Sequence, residues 1–187
     1  MVYILLAPGF EESEALVPAD LLRRANIETA LVSIGDRAVT GSHQITVQAD
    51  LTLDQVELDR AEMIVLPGGS VGVKNLGEEL KVEALVREAV RRDIWVAAIC
   101  AAPTLLGRWG LLEGREAVCY PGMEDRLDGA KALMDLRAVM DGKIITGRAA
   151  GSAFDFGLLL TAALAGEEEA EKVRCAKIGR ASCRERV

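Results

Sequence analysis

Cys100 is the residue whose surroundings most clearly predict chemistry. It follows a continuous apolar run at positions 94–99, which is typical of a strand covered on both faces of a sheet. Pro103 follows it, at a position that the first turn of a helix tolerates. The positions two before and two after the cysteine are Ala98 and Ala102, small enough for the sharp strand-to-helix turn called a nucleophile elbow. We therefore predict a reactive thiol, rather than a cysteine buried only for packing.

Two other apolar strands end in residues that could serve the same reaction. The strand at positions 2–7 leads to Glu14, and the strand at positions 62–66 leads to Gly68 and Gly69. Ligands of an open parallel sheet bind beyond the carboxyl ends of its strands, where the strand order reverses. A flavodoxin-like strand order would therefore bring these residues into one cleft with the cysteine.

Each group in this cleft has a physical task. The amide N–H groups of Gly69 and Ala101 would form a two-donor oxyanion hole, and the helix that begins there would lower the pKa of the thiol. Glu14 can help only when it is protonated, because an ionised carboxylate would repel a thiolate, so the two groups would titrate as a pair. Glu11 and Glu12 are interpreted as a solvated first turn of the same helix.

The order of elements predicts the fold class. Apolar strands alternate with helical patterns, which indicates an α/β fold: a flavodoxin-like, open, mostly parallel sheet with helices on both faces. Positions 39–49 are predicted to form a small hairpin, and Asp141-Gly142 a second turn between two short strands. One helix is predicted over positions 79–92 and a strand over positions 116–120.

Composition excludes several classes of function. Of the 187 residues, 50% are hydrophobic and 27% charged, with a net charge of −7, which argues against a nucleic-acid groove or binding to an anionic membrane. The four cysteines form no CxxC pair, and a single histidine argues against a zinc site. We expect a cytoplasmic protein with reduced thiols, no signal peptide, no membrane span, no metal and no cofactor.

The last segment, residues 177–187, differs in character from the rest. It lacks an apolar period and resembles the translation of a sequencing-library adapter, which predicts a single domain over residues 1–176 and a non-native tail. The alternative interpretation is a natural basic tail.

Five motifs in order carry a family resemblance over about residues 1–175. They are Gly9-Phe-Glu-Glu-Ser-Glu-Ala15, Val65-Leu-Pro-Gly-Gly69, Ala97-Ala-Ile-Cys-Ala-Ala-Pro103, Cys119-Tyr-Pro-Gly122 and Ile144-Ile-Thr-Gly-Arg148. Together they resemble the ThiJ/PfpI superfamily, and most of all the branch of the Parkinson's-disease protein and its bacterial relatives. The resemblance implies a flavodoxin-like homodimer in which Cys100 is an oxidation-sensitive nucleophile and Glu14 the protonated acid beside it. It also places the oxyanion donors on Gly69 and Ala101.

The chain departs from the family pattern at four positions. Tyr120 occupies the place of a histidine that many eukaryotic members have near the cysteine, so no Cys-His pair is expected. His43 aligns with an arginine that bridges the subunits and is expected to approach the partner's cleft. Arg148 matches an arginine of the family, but the loop that it begins reads Arg-Ala-Ala-Gly-Ser instead of Arg-Gly-Pro-Gly-Thr, which leaves its role open. Ala101 replaces the histidine of the protease-like branch, which counts against a peptidase.

These residues support two classes of function. The first, which the family resemblance implies, is a cysteine-dependent enzyme of the glyoxalase III or protein-deglycase type that needs neither glutathione nor metal. Its substrate would be a small reactive aldehyde, such as methylglyoxal converted to lactate, or a glycated amine. The second is a redox sensor or stress chaperone that uses oxidation of Cys100 without turnover. An acyl-transfer hydrolase is a weaker third interpretation, because no histidine is placed to act as general base.

Overall fold

A computed structural model describes residues 1–179 of the chain. Its centre is a seven-stranded sheet in the order β10-β11-β7-β6-β1-β2-β5, and two two-stranded sheets, β3-β4 and β8-β9, lie beside it. The strands are β1 (Val2–Leu6), β2 (Thr29–Ser33), β3 (Ala38–Thr40), β4 (Thr46–Gln48), β5 (Leu51–Thr52), β6 (Met63–Leu66), β7 (Trp95–Ile99), β8 (Glu116–Ala117), β9 (Lys131–Ala132), β10 (Ala138–Asp141) and β11 (Ile144–Gly147).

The sheet has the predicted topology. Strands β1, β6 and β7 are parallel neighbours, so the strand that precedes Gly68 lies between the strand that leads to Glu14 and the strand that ends before Cys100. Only the edge strand β10 runs antiparallel, paired with β11 through the predicted turn at Asp141-Gly142. The mostly parallel, flavodoxin-like α/β fold is confirmed, and the carboxyl ends of three strands meet at one edge of the sheet.

The described residues form six α-helices, which lie on both faces of the sheet. They are α1 (Glu12–Arg24), α2 (Ser70–Glu78), α3 (Leu80–Arg91), α4 (Pro103–Arg108), α5 (Ala153–Ala165) and α6 (Glu167–Ile178), with α6 packed against α5. Alternate residues of β1 belong to opposite cores: Tyr3 and Leu5 pack on one side of the sheet, and Val2, Ile4 and Leu6 on the other. Because both faces are covered, the central strands are uninterrupted runs of apolar residues.

Three elements differ from the predictions. Helix α2 was not predicted, because Gly72 and Gly77 make its sequence look like a loop; Gly72 is needed there, since a Cβ would lie 2.7 Å from the Cα of Phe10. The strand predicted over positions 116–120 is only the two-residue β8. Helix α6 continues past position 176, and Lys177 forms an ion pair with Asp20. The remainder of the predicted tail, from position 180, lies outside the described residues.

Candidate active site at Cys100

Cys100 occupies the sharp turn after β7 in a strained backbone conformation. Its φ is +66°, in the left-handed region, which costs a non-glycine residue about 1–2 kcal/mol. Two hydrogen bonds hold it there: its N–H donates to Gly147 O at 2.9 Å, and its carbonyl accepts from Tyr120 N–H at 2.8 Å. Ala98 and Ala102 are completely buried on either side, as the elbow spacing requires. Strain held by surrounding structure is typical of functional sites.

Glu14 lies beside this thiol with no exposure to solvent. It projects from the first turn of α1, and its Oε2 accepts a hydrogen bond from Gly68 N–H at 2.9 Å. Its Oε1 is buried and has no hydrogen-bond partner among the described residues. A buried carboxyl oxygen without a donor favours the protonated acid, because the neutral form is far less costly to desolvate.

Gly68 brings the carboxyl and the thiol together because it has no side chain. A Cβ at this position would lie 2.6 Å from Cys100 Cβ and 3.1 Å from its Sγ, and it would also strike the Glu14 carboxylate. The chain therefore approaches both groups at a distance that only glycine permits.

Gly69 turns the backbone so that its amide faces the sulfur. Its φ is +91°, and a Cβ would collide with Gly9 O and lie 2.7 Å from Glu11 N. The N–H groups of Gly69 and Ala101 both interact with the Cys100 thiol and lower its pKa. The two donors that the sequence analysis singled out thus converge on one atom, which is the arrangement of an oxyanion hole.

The thiol and the carboxyl titrate as a coupled pair. Burial raises the pKa of Glu14 to about 7, against the opposing effects of the Cys100 thiol and the Gly68 amide. Burial and the charge of ionised Glu14 raise the pKa of Cys100 to about 12, and the two amides only partly offset this increase. The prediction of an acidic thiol counted the amides but omitted the burial of the sulfur. The repulsion between the Cys100 thiolate and the Glu14 carboxylate disappears when Glu14 holds the shared proton. The reactive form of the pair is therefore a Cys100 thiolate beside a Glu14 carboxylic acid.

The raised pKa of Glu14 predicts an unusual dependence of stability on pH. The folded state holds this proton up to about pH 7, whereas an unfolded glutamate loses it near its ordinary pKa of 4.5. The unfolding free energy should therefore fall as pH rises through this window, by on the order of 3 kcal/mol. Urea denaturation at a series of pH values measures the change, and Glu14→Gln should abolish it. A wild-type profile that does not fall would contradict the buried, protonated carboxyl.

Tyr120 contacts the site through its backbone, and Arg148 is only adjacent to it in the chain. Tyr120 N–H bonds the Cys100 carbonyl, and Arg148 directly follows Gly147, which accepts from Cys100 N–H. The side chain of Arg148 forms no hydrogen bond or ion pair within residues 1–179. A 3-10 turn over Ala150–Ser152 closes the altered loop, and Ser152 Oγ accepts from Ala149 N–H at 3.1 Å.

His43 lies apart from the thiol, on the turn of the β3–β4 hairpin. Its ring is exposed, and Nδ1 lies 3.0 Å from Glu12 Oε2 within the same chain. Glu11, Glu12 and His43 place one ligand atom each within 4.8 Å of one another, which is the one cluster of this kind in the described part of the chain. These groups bond one another and the hairpin backbone, and the approach of His43 to a partner's cleft stays a prediction.

Glu12 differs from the prediction of a solvated first turn. It is not solvated: only 5% of it is exposed, and it accepts hydrogen bonds from His43 N–H at 2.8 Å, Ser42 Oγ at 3.2 Å and Ile45 N–H at 3.4 Å. It therefore ties the hairpin to the first turn of α1, two residues from Glu14. In the sequence, the only indication of this contact is weak: the small residues Gly41 and Ser42, which lie about 30 positions after Glu12.

The hydrogen bonds to Glu12 predict the opposite pH dependence from that of Glu14. Its donors, His43 foremost, outweigh burial and lower its pKa to about 2. Stability from this carboxylate is complete above the unfolded pKa of about 4.5 and is lost as pH falls toward 2. Glu12→Gln should flatten this acid limb and lower the melting temperature at pH 7. An unchanged acid limb in the variant would show that the contact carries no net stability.

Known proteins match this chain in sequence over most of its length. The model of the DJ-1/PfpI family matches residues 1–163. Protein dj-1beta of Drosophila melanogaster is 38% identical over 172 residues, which cover 91% of this chain and 92% of the relative. A deglycase of Pyrococcus abyssi is 32% identical over 154 residues, 82% of this chain and 92% of that protein.

Solved structures show the same fold. The crystal structure of Drosophila melanogaster DJ-1beta superposes with a TM-score of 0.90 at 36% identity, covering 95% of this chain and 96% of that one. That of oxidized Toxoplasma gondii DJ-1 gives 0.87 at 31% identity, covering 96% and 98%.

Fold and site together define an α/β sandwich with a cysteine elbow and a buried acid at the carboxyl edge of its sheet. The chain belongs to the DJ-1/PfpI family. Within residues 1–179, no helix is long and apolar enough to cross a membrane.

Proposed function

We propose that this protein is a cysteine-dependent enzyme that converts reactive dicarbonyls such as methylglyoxal to hydroxy acids, without glutathione or metal. One observation carries the proposal: the buried Glu14 carboxyl, which has a raised pKa, lies against the strained Cys100 thiol, and two amides point at the sulfur. A nucleophile, an acid that can exchange a proton near neutral pH and an oxyanion hole are the parts that an internal redox reaction of a dicarbonyl requires.

The reaction begins with addition of the thiol to the aldehyde. The Cys100 thiolate attacks the aldehyde carbon of methylglyoxal and forms a C–S bond. The carbonyl oxygen becomes negative, is stabilised by the Gly69 and Ala101 amides, and takes the proton from Glu14. The product of this step is a hemithioacetal, and Glu14 is left as a carboxylate.

Glu14 then moves hydrogen between the two carbons. As a carboxylate it removes the proton from the former aldehyde carbon and passes it to the neighbouring ketone oxygen, so that an enediol results. The carboxylate then takes the hydroxyl proton from the sulfur-bearing carbon and delivers it to the neighbouring carbon, which gives the thioester of lactate. Water hydrolyses the thioester, which breaks the C–S bond and returns the thiol, so the net change is addition of one water to methylglyoxal.

The comparisons support the chemical class of this proposal. The relative from Pyrococcus abyssi is named a deglycase. Nucleophilic attack by a cysteine thiolate on an electrophilic carbon is the first step that we propose here. The absence of a histidine near the thiol is consistent with Glu14 as the only proton carrier; Tyr120 takes that place.

The first experiment measures lactate from methylglyoxal in the full chain, without glutathione and with a chelator present. We expect turnover that disappears, by more than about a thousandfold, in Cys100→Ser. Cys119→Ser is the matched control, because Cys119 is a buried free thiol whose Sγ donates to Tyr120 O, at 3.4 Å, and does not contact Glu14. Equal loss in both variants, or none in Cys100→Ser, would refute the assignment of the nucleophile.

A second candidate function is redox sensing through oxidation of Cys100. It is favoured by the same amides, which would stabilise a sulfinate as they stabilise a thiolate, and by the oxidized state named for the Toxoplasma gondii relative. Selective addition of oxygen to Cys100 under peroxide, followed by mass spectrometry, with no lactate formed, would support sensing over catalysis. A homodimer and a cytoplasmic location remain predictions, and sedimentation tests the first.

A further inference from the structure

A cavity of about 260 Å³ opens beside the candidate site. Ser70 and Ala101 form the end nearest the thiol, and these residues directly follow Gly69 and Cys100. The cavity continues between α2, α4 and the segment that contains Met123. Its volume is close to the lower end of the range of about 300–1,000 Å³ that is usual for small-molecule sites. It therefore extends beyond the reacting carbons of a three-carbon dicarbonyl.

Cationic side chains dominate the lining of this cavity. Lys74, Arg108 and Arg126 line it, against a single carboxylate, that of Glu78. Lys74 Nζ lies 3.8 Å from Glu78 Oε1, so the charges of these two side chains offset each other. The Arg108 guanidinium donates one Nη2 hydrogen bond to Gly77 O at 2.7 Å, and the Arg126 guanidinium has no hydrogen bond or ion pair within residues 1–179. The cavity thus holds a surplus of two positive charges.

This surplus is unusual for the chain. The net charge is −7, and most lysines and arginines in the described residues have a carboxylate within 4.0 Å. The four that lack one in that part of the chain are Arg37, Arg108, Arg126 and Arg148. Two of them line the cavity, and Arg148 follows the residue that bonds Cys100. An acidic chain that leaves guanidinium groups unpaired around one cavity has a site suited to an anion.

We propose that this cavity binds an anionic group, a carboxylate or a phosphate, carried by the carbonyl substrate whose aldehyde carbon reacts with Cys100. The proposal rests on the proposed function and specifies its substrate class. Arg108, at the end of α4, and Arg126 bind the anion, and the aldehyde at the other end of the molecule reaches the sulfur past Ala101. The addition is reversible: a C–S bond forms, the C=O bond becomes C–O–H, and the proton comes from the thiol-carboxyl pair.

The experiment measures how aldehydes protect Cys100 from alkylation by iodoacetamide, so it needs no turnover. Two pairs are compared: butanal with succinic semialdehyde, and glyceraldehyde with glyceraldehyde 3-phosphate. In the wild type the anionic member should protect at about tenfold lower concentration than its neutral partner. The first pair reports on a carboxylate and the second on a phosphate. The preference should weaken at high ionic strength.

The double variant Arg108→Gln/Arg126→Gln should lose this preference, whereas Arg37→Gln, which removes an unpaired arginine elsewhere, should keep it. Circular dichroism confirms that the variants fold. Equal protection by both members of each pair, or a preference that survives in the double variant, would overturn the proposal. If no aldehyde protects Cys100, the proposal is tested by the ratio of its alkylation rate with iodoacetate, an anion, to its rate with iodoacetamide. Relative to the wild type, this ratio must fall in the double variant and stay unchanged in Arg37→Gln. If the wild type prefers anionic aldehydes but forms no lactate from methylglyoxal, the proposed turnover is refuted and the proposed anion site is still supported.

Discussion

Replacing Glu14 with glutamine should reduce the conversion of methylglyoxal by about 10²–10⁴-fold while Cys100 remains open to alkylation. The amide keeps the size of the side chain and can still accept from Gly68 N–H, which now bonds Oε2 at 2.9 Å. It cannot release and recover a proton. The variant therefore removes the proton relay and leaves the thiol and its two amides in place. Lactate formation and iodoacetamide labelling, measured on the same preparation, separate the two roles.

Glu11→Gln is the matched control for this prediction. Glu11 precedes the same helix, is partly exposed, and directs its carboxylate to Ser13 and Ser42 rather than to the sulfur. Its loss should alter turnover far less than the loss of Glu14. Full activity of Glu14→Gln would rule out the proton role, and loss of labelling together with turnover would indicate a collapsed site instead.

The second large effect is expected at Gly68. In Gly68→Ala the new methyl group would lie 2.6 Å from Cys100 Cβ and would strike the Glu14 carboxyl, so the pair must separate. A displacement of this kind costs about 10²-fold in rate when it misplaces reacting groups, and about 1–3 kcal/mol in stability as overpacking. Turnover and melting temperature should both fall.

Gly35→Ala is its control, because a Cβ at position 35 meets no atom within 4 Å. That variant should keep wild-type turnover and stability. If Gly68→Ala were as active as Gly35→Ala, the contact between carboxyl and thiol would not be needed for the reaction. The comparison thus tests the geometry of the pair independently of the identity of Glu14.

Most of the misjudged features share a physical cause. The pKa of the thiol, the burial of Glu12 and the existence of α2 all depend on what the neighbouring elements cover. The local sequence indicates which amides lie near Cys100, but it does not indicate that the sulfur is desolvated. Likewise, Glu12 stands among other acids in the sequence, and the hairpin that encloses it is evident only in the structure. The sequence of α2 resembles a loop because of its glycines, and the need for Gly72 becomes evident only when Phe10 packs against it.

The sequence by itself determined the parallel α/β sheet, the elbow at Cys100 and the set of groups around it, because strand burial and tight turns restrict residue types locally. Only the tertiary structure decided which groups touch. Gly68 has to lie within contact of two side chains that start 54 and 32 positions away from it, and the Glu14 proton is retained because folding removes its water. The unpaired arginines beside Ala101 are likewise ordinary surface charges in the sequence. They become a binding site because α2, α4 and the Met123 segment enclose one cavity.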